Sequence, residues 1–253
     1  APAPASRDEE IFASTVARVQ SERLDTLPVG ELAAHIGAWF VGTPYTPGTL
    51  EADGPEGLVV NLREFDCVTF VENMLAFARV VRAGTPNFDA FRQELQKIRY
   101  RDGQLNEYPS RLHYFSEWIS DNEDKGIVQN MTRNIGGVVD AEPISFMTEH
   151  RDSYRQLADQ RFFDAITANQ AALNQHQRYM IPEQRIAPLE QNIKNGDVIA
   201  ATSNLKGLDV AHTGLAIWRN GRLHLMHAPL VGDSVEISER PLAERILDIS
   251  AQD

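Results

Sequence analysis

Apolar residues recur at helical spacing over Arg7 to about Ser21, through Ile11, Val16 and Val19, and again over Gly30 to Phe40, through Leu32, Ile36 and Phe40. Both stretches predict amphipathic helices, and the turn-rich string Gly42-Thr-Pro-Tyr-Thr-Pro-Gly48 that follows predicts a loop. From Asp66 to about Arg82 the set Val68, Val71, Leu75 and Ala78 is widened by Phe70, Met74 and Phe77. That predicts a mostly buried helix with Asp66 as its N-cap. Phe88 to Ile98 and Ser110 to Asn122 are further helices, the second with Leu112, Phe115 and Trp118 or Ile119 facing inward. Val/Ile-rich pieces broken by Gly136-Gly137 predict short strands between Ile127 and Met147, and Arg151 to Gln175 returns to helix. Beyond Asn195-Gly-Asp197 the pattern predicts strands at Val198 to Ala201, Ala211 to Trp218, Leu223 to Ala228 and Val235 to Ser238. Helices first and an antiparallel sheet later make an α+β fold.

The strand region carries its own register. Asn220-Gly221 is the preferred two-residue hairpin turn, so Arg219 faces Arg222, Ile217 faces His224 and Gly214 faces His227. Alternate residues of a strand share a face, which puts His212 and His227 on one side as diagonal neighbours and His224 on the other. A slip of one residue would exchange the two histidines of the second strand. Such a pair can serve as a base with an orienting partner. It can equally be a satisfied strand histidine beside a buried polar group.

Cys67 is the only cysteine of the 253 residues and stands at the predicted start of the Asp66 helix. A helix N-terminus carries about half a positive charge and unpaired N–H groups, both of which favour thiolate over thiol. The neighbouring Asp66 carboxylate partly counters this. A small buried hydrophobe is the alternative use of a lone cysteine.

Charge and length then narrow the functional classes. Lys and Arg number 24 against 36 Asp and Glu, a formal net charge of -12, without a basic cluster. Nucleic acid and anionic membrane surfaces are therefore not expected partners. No window approaches the roughly eighteen apolar residues that span a bilayer. The Ala1-Pro-Ala-Pro-Ala-Ser start without an initiator methionine suggests a removed leader, hence an exported, periplasmic protein. A single domain, residues 1–253, and a monomer are expected, with helices over about 7–42 at its start. No His-Glu-x-x-His or Cys-x-x-Cys pattern accompanies the histidines, so no metal or other cofactor is expected.

Four segments in order resemble the NlpC-type cell-wall cysteine peptidases and amidases, a papain-like superfamily. These are Gly42-Thr-Pro-Tyr45, Phe65-Asp-Cys67, Asn195-Gly-Asp197, and His212-Thr-Gly together with His227-Ala-Pro229. The resemblance implies a papain-like core, with Cys67 as nucleophile, His212 as general base, His227 as orienting residue and Tyr45 near the oxyanion, beside Asp66. Val68-Thr69 stand where that family usually has Ser-Gly. With Asn61-Leu-Arg-Glu-Phe-Asp-Cys67, Ser110-Arg-Leu-His-Tyr-Phe-Ser-Glu-Trp118 and Gly207-Leu-Asp-Val-Ala-His212, this is similar to the N-acetylmuramoyl-L-alanine amidase-like branch. The branch implies cleavage between muramic acid lactyl and L-alanine, with muropeptides, the fragments of peptidoglycan, as substrates. Residues of about 85–190 then form an insertion that sets specificity. Arg111 within it either binds a substrate carboxylate or pairs with a neighbour on a helix surface. An endopeptidase cutting within the stem peptide, a histidine metal site and a non-catalytic wall-binding module are the other classes open to these residues.

Overall fold

The computed structural model describes residues 5–51, 53–230 and 232–250; the side chains of 247–250 and the Ala1-Pro-Ala-Pro start lie outside the described residues. Helices α1 (Arg7–Ser21), α2 (Val29–Trp39), α3 (Cys67–Arg82), α4 (Phe88–Arg99) and α5 (Phe115–Asp124) come first. Then follow β1 (Val138–Asp140), α6 (Phe146–Glu149), α7 (Gln160–Leu173), β2 (Arg178–Met180) and α8 (Ile186–Leu189). Strands β3 (Val198–Thr202), β4 (Val210–Arg219), β5 (Arg222–His227), β6 (Glu236–Ile237) and helix α9 (Leu242–Ser250) complete the order. This is an α+β arrangement with small antiparallel sheets, as the hydrophobic pattern predicts.

A helix that is apolar on nearly every face needs partners all round, and α3 has them. Phe70, Val71, Met74, Ala76, Phe77 and Ala78 are fully buried, and the helix packs on α2, α4 and β4. Asp66 is its N-cap, and the cap is reciprocal. Thr69 N–H donates to Asp66 Oδ1 at 2.8 Å while Asp66 N–H donates to Thr69 Oγ1 at 2.9 Å, which pins the first turn. The chain entering that turn is tied down too: Leu62 N–H donates to Asp8 Oδ1 of α1 at 2.8 Å, and Phe65 pairs with Tyr45 in a parallel bridge.

The main sheet runs β3-β4-β5-β6, antiparallel throughout. Asn220 and Gly221 both adopt positive φ, 52° and 76°, and hold Arg219 opposite Arg222 and Ile217 opposite His224, the predicted register. Two glycines allow close approaches. A Cβ on Gly214 would stand 2.6 Å from the Met226 carbonyl oxygen and 2.9 Å from His227 Cβ, so glycine there makes room for the His227 side chain. A Cβ on Gly196 would lie 1.7 Å from the Gly30 carbonyl oxygen, so the turn into β3 rests directly on α2.

The middle of the chain departs from its local pattern. The helix expected from Ser110 begins only at Phe115: Tyr108–Ser110 is a 3₁₀ turn containing Pro109, and Arg111 is extended, bridging to Tyr100. Asp209, distant in sequence, accepts Ser116 N–H at 2.7 Å and satisfies the new helix end. Of the strands expected between 127 and 147 only β1 forms, paired with β2. The helix expected from Arg151 starts as two 3₁₀ turns and becomes α7 at Gln160, where Asp159 caps it. Tyr108, Tyr114, Ile144, Met147, Leu157, Ile166 and Leu173 form a second core cluster, whereas α4 and α5 pack in the main core.

Candidate active site

Cys67 is the first residue of α3 and is partly buried. The backbone N–H groups of Thr213, Val68 and Cys67 itself act on its sulfur and favour thiolate. They do not win. Burial, then the adjacent Asp66 carboxylate, push the thiol up to about 11, so at neutral pH it is protonated. The expectation of a helix-lowered thiolate is thereby corrected: desolvation and one negative neighbour outweigh the helix end.

His212 and His227 meet as the register requires. His212 Nε2 lies 2.6 Å from His227 Nδ1, with the rings nearly perpendicular at 82°. This contact occupies Nε2 of His212 and leaves Nδ1 for other work. Burial and Arg245 lower His212 to about 4; burial, His212 and Arg245 lower His227 to about 3. Both are neutral at pH 7, and a neutral imidazole can accept a proton. His224 points away, with Nδ1 2.8 Å from the Ser238 carbonyl oxygen.

Cys67, Asp66 and His212 line one cavity of about 250 Å³, with Tyr108, Arg111 and Tyr154 also on its wall. Tyr45, which bridges to Phe65 two residues before the cysteine, has its hydroxyl pKa raised by burial, then by Cys67 and Asp66, so it remains a donor at neutral pH. Arg111 is only 5% exposed and is not on a helix. Its Nη2 donates to Glu51 at 2.6 Å, and its Nε lies 3.3 Å from Glu56 Oε1. Two carboxylates already meet its charge. Glu72 and Arg99 also line the cavity, joined through Arg99 Nε to Glu72 Oε2 at 2.7 Å with both side chains 2% exposed. Sequence reasoning did not single out Glu51, Glu56, Glu72, Arg99 or Tyr108. The one available signal was charge inside otherwise apolar helix patterns, at Glu72 and Arg99.

His113, on the same wall, gives a stability prediction. Burial, then Arg111, lower it to about 3, and its Nε2 is 2.9 Å from the Tyr108 carbonyl oxygen. The unfolded chain takes up this proton near pH 6.5 and the folded one does not. The contribution is therefore complete above about pH 6.5 and lost as pH falls toward the folded value. His113→Gln is expected to lower the unfolding midpoint most above pH 6.5, with the gap from wild type narrowing toward pH 4. A gap that widens on acidification would contradict this.

A family model described as AmiA-like, N-acetylmuramoyl-L-alanine amidase-like, matches residues 35–250. The chain belongs to the AmiA-like family. A Bacteroides uniformis structure named N-acetylmuramoyl-L-alanine amidase is 36% identical, with a TM-score of 0.82, over 87% of this chain and 93% of that one. A Bacteroides fragilis structure named as a candidate xylanase is 37% identical, with a TM-score of 0.78, over 84% of this chain and 94% of that one. A Legionella pneumophila protein of the DUF1460 family shares the fold at 23% identity and a TM-score of 0.67, over 97% of this chain and 91% of that one. The search of curated proteins finds no match. Among the described residues of this AmiA-like chain, no helix is long and apolar enough to cross a membrane.

Proposed function

We propose that this AmiA-like protein is a cysteine-dependent amidase with an NlpC-type, papain-like catalytic core, and that it hydrolyses the amide between N-acetylmuramic acid and L-alanine in peptidoglycan fragments. The observation that carries this is the His212–His227 couple, held at 2.6 Å, with His212 lining the same cavity as the helix-start thiol of Cys67. His212 Nδ1 takes the thiol proton as sulfur adds to the lactyl carbonyl, and the oxyanion accepts from the Cys67 N–H and the Tyr45 hydroxyl. Collapse breaks the C–N bond, with the His212 imidazolium protonating the departing L-alanine nitrogen. Water, deprotonated by His212, then cleaves the thioester to the lactyl carboxylate and restores the thiol. Arg111 orders Glu51 on the cavity wall and pairs with Glu56, and the insertion of about 85–190 shapes the substrate's approach within one catalytic domain. The protein acts as an exported monomer on wall fragments.

The rival classes meet specific obstacles. A glycosidase needs two free carboxyl groups about 5 to 9.5 Å apart, but of the carboxylates on the cavity wall Asp66 caps α3, Glu72 is held by Arg99, Glu51 by Arg111, and Asp209 accepts Ser116 N–H. For a metal site, no group of three or more His, Cys, Asp or Glu side chains among the described residues is placed to hold an ion. Turnover is therefore expected to survive a chelator and to disappear on thiol alkylation, at a rate that climbs with pH. Chelator-sensitive turnover would discard the thiol mechanism. A stem-peptide endopeptidase would use the same three side chains, and product identity separates it from the amidase.

Tyr45→Phe removes one oxyanion donor without removing the ring. Loss of one such donor costs about 10² to 10³ in kcat, and a fall of that order with little change in KM is expected from steady-state kinetics on a defined muropeptide. Unchanged kcat/KM would take Tyr45 out of the mechanism.

A further inference from the structure

His227 is completely buried, and its outer nitrogen, Nε2, has no hydrogen-bond partner among the described residues. The nearest charge is Glu236 Oε1, 3.5 Å away. Glu236 is directly opposite His227 in the β5–β6 ladder, so the two side chains rise from the same face of the sheet. At that distance a direct hydrogen bond is long, yet the carboxylate is close enough to decide which ring nitrogen carries the proton.

We propose that Glu236 is a positioning residue for the histidine pair, selecting the tautomer in which His212 keeps a bare Nδ1 for the Cys67 proton. A carboxylate only accepts, so it favours a proton on His227 Nε2. Neutral His227 then has an unprotonated Nδ1, and the 2.6 Å contact can be a hydrogen bond only if His212 Nε2 is the donor. His212, neutral with its proton on Nε2, must present Nδ1 as a lone pair. In the opposite chain of tautomers His227 donates from Nδ1, His212 carries its proton on Nδ1, and the base is blocked. Among the described residues, Glu236 is the carboxylate that faces His227 Nε2. Arg245 on α9 also acts on both rings, but as a cation it disfavours a proton on either. When His212 becomes imidazolium, Glu236 is the negative charge on the far side of the pair.

The test is nitrogen-15 NMR of the imidazoles in the resting protein at pH 7, with wild type, Glu236→Ala and Glu236→Gln. Wild type is expected to show both rings protonated at Nε2. In Glu236→Ala a population with His227 protonated at Nδ1 should appear. Glu236→Gln, whose amide oxygen can still accept, should stay closer to wild type; should the alanine variant fail to fold, the wild-type spectrum decides, because the proposal requires His227 protonated at Nε2 there. A wild-type His227 protonated at Nδ1, or spectra unchanged in both variants, would overturn the proposal. The kinetic expectation rests on the amidase reading above. A wrong tautomer in a serine triad costs about 10⁴ in kcat; here the bias alone is lost, so a fall of about 10- to 100-fold in kcat with KM within about twofold is expected. The tautomers are read without substrate, so the spectroscopic outcome is separate from any failure of the amidase assignment.

Discussion

Cys67→Ala is expected to give a folded protein that no longer turns over muropeptides. Two features keep the fold intact. The reciprocal Asp66–Thr69 cap does not involve the sulfur, and alanine is a good residue for a helix start. A change of less than about 1 kcal/mol in unfolding free energy is expected, in line with a small substitution at a partly buried site. The loss of chemistry is complete by contrast, because Cys67 is the only thiol of the chain. Removing a triad nucleophile has cost about 10⁶ in kcat in a serine protease, and a loss of that order is expected from turnover assays alongside a thermal melt. Cys67→Ser should be nearly as inactive, since a hydroxyl is a far weaker acid than the thiol, itself already raised to about 11. Retained turnover in the alanine variant would discard the nucleophile assignment.

Arg99→Met is expected to be the most destabilising single change, and the reason lies beneath the cavity. Glu72 accepts from Arg99 Nε at 2.7 Å and from Trp118 Nε1 at 3.2 Å, while Arg99 Nη1 donates to the Val59 carbonyl at 2.6 Å. Burial raises the Glu72 pKa even with Arg99 opposing it, so removal of the cation leaves a carboxylate that must protonate or stay unpaired in the core. Breaking a buried pair from one side costs about 3 to 5 kcal/mol. For a chain of this size that corresponds to a fall of very roughly 6 to 20 °C in Tm. Replacing both partners with apolar residues, Glu72→Leu with Arg99→Met, should recover much of the loss, because no orphaned charge remains. A single variant that melts within about 1 °C of wild type would show that this pair does not hold α3 to α4.

Much of the candidate site was legible because its markers are local. Asn220-Gly221 sets the hairpin register and with it the side of the sheet on which His212 and His227 meet. Asp66 before the apolar run marks a helix start and places Cys67 at its first position. What escaped the sequence depends on groups brought together from afar. The direction of the Cys67 shift turns on burial, which no local pattern measures. The late start of α5 depends on Asp209, far along the chain, accepting Ser116 N–H. The two carboxylates that hold Arg111 come from the segment before the nucleophile helix. The strand that carries Glu236 was expected at Val235 to Ser238, but its register opposite His227 was not, because β6 joins β5 through a connection without a hairpin signature.

Mass spectrometry of the products from defined muropeptides, with Cys67→Ala as control, tests the central claim most directly. The account predicts an intact muramic acid sugar bearing a free lactyl carboxylate, a stem peptide with L-alanine at its new amino terminus, and neither product from the alanine variant. A dipeptide released from within the stem, or the same cleavage by Cys67→Ala, would contradict it.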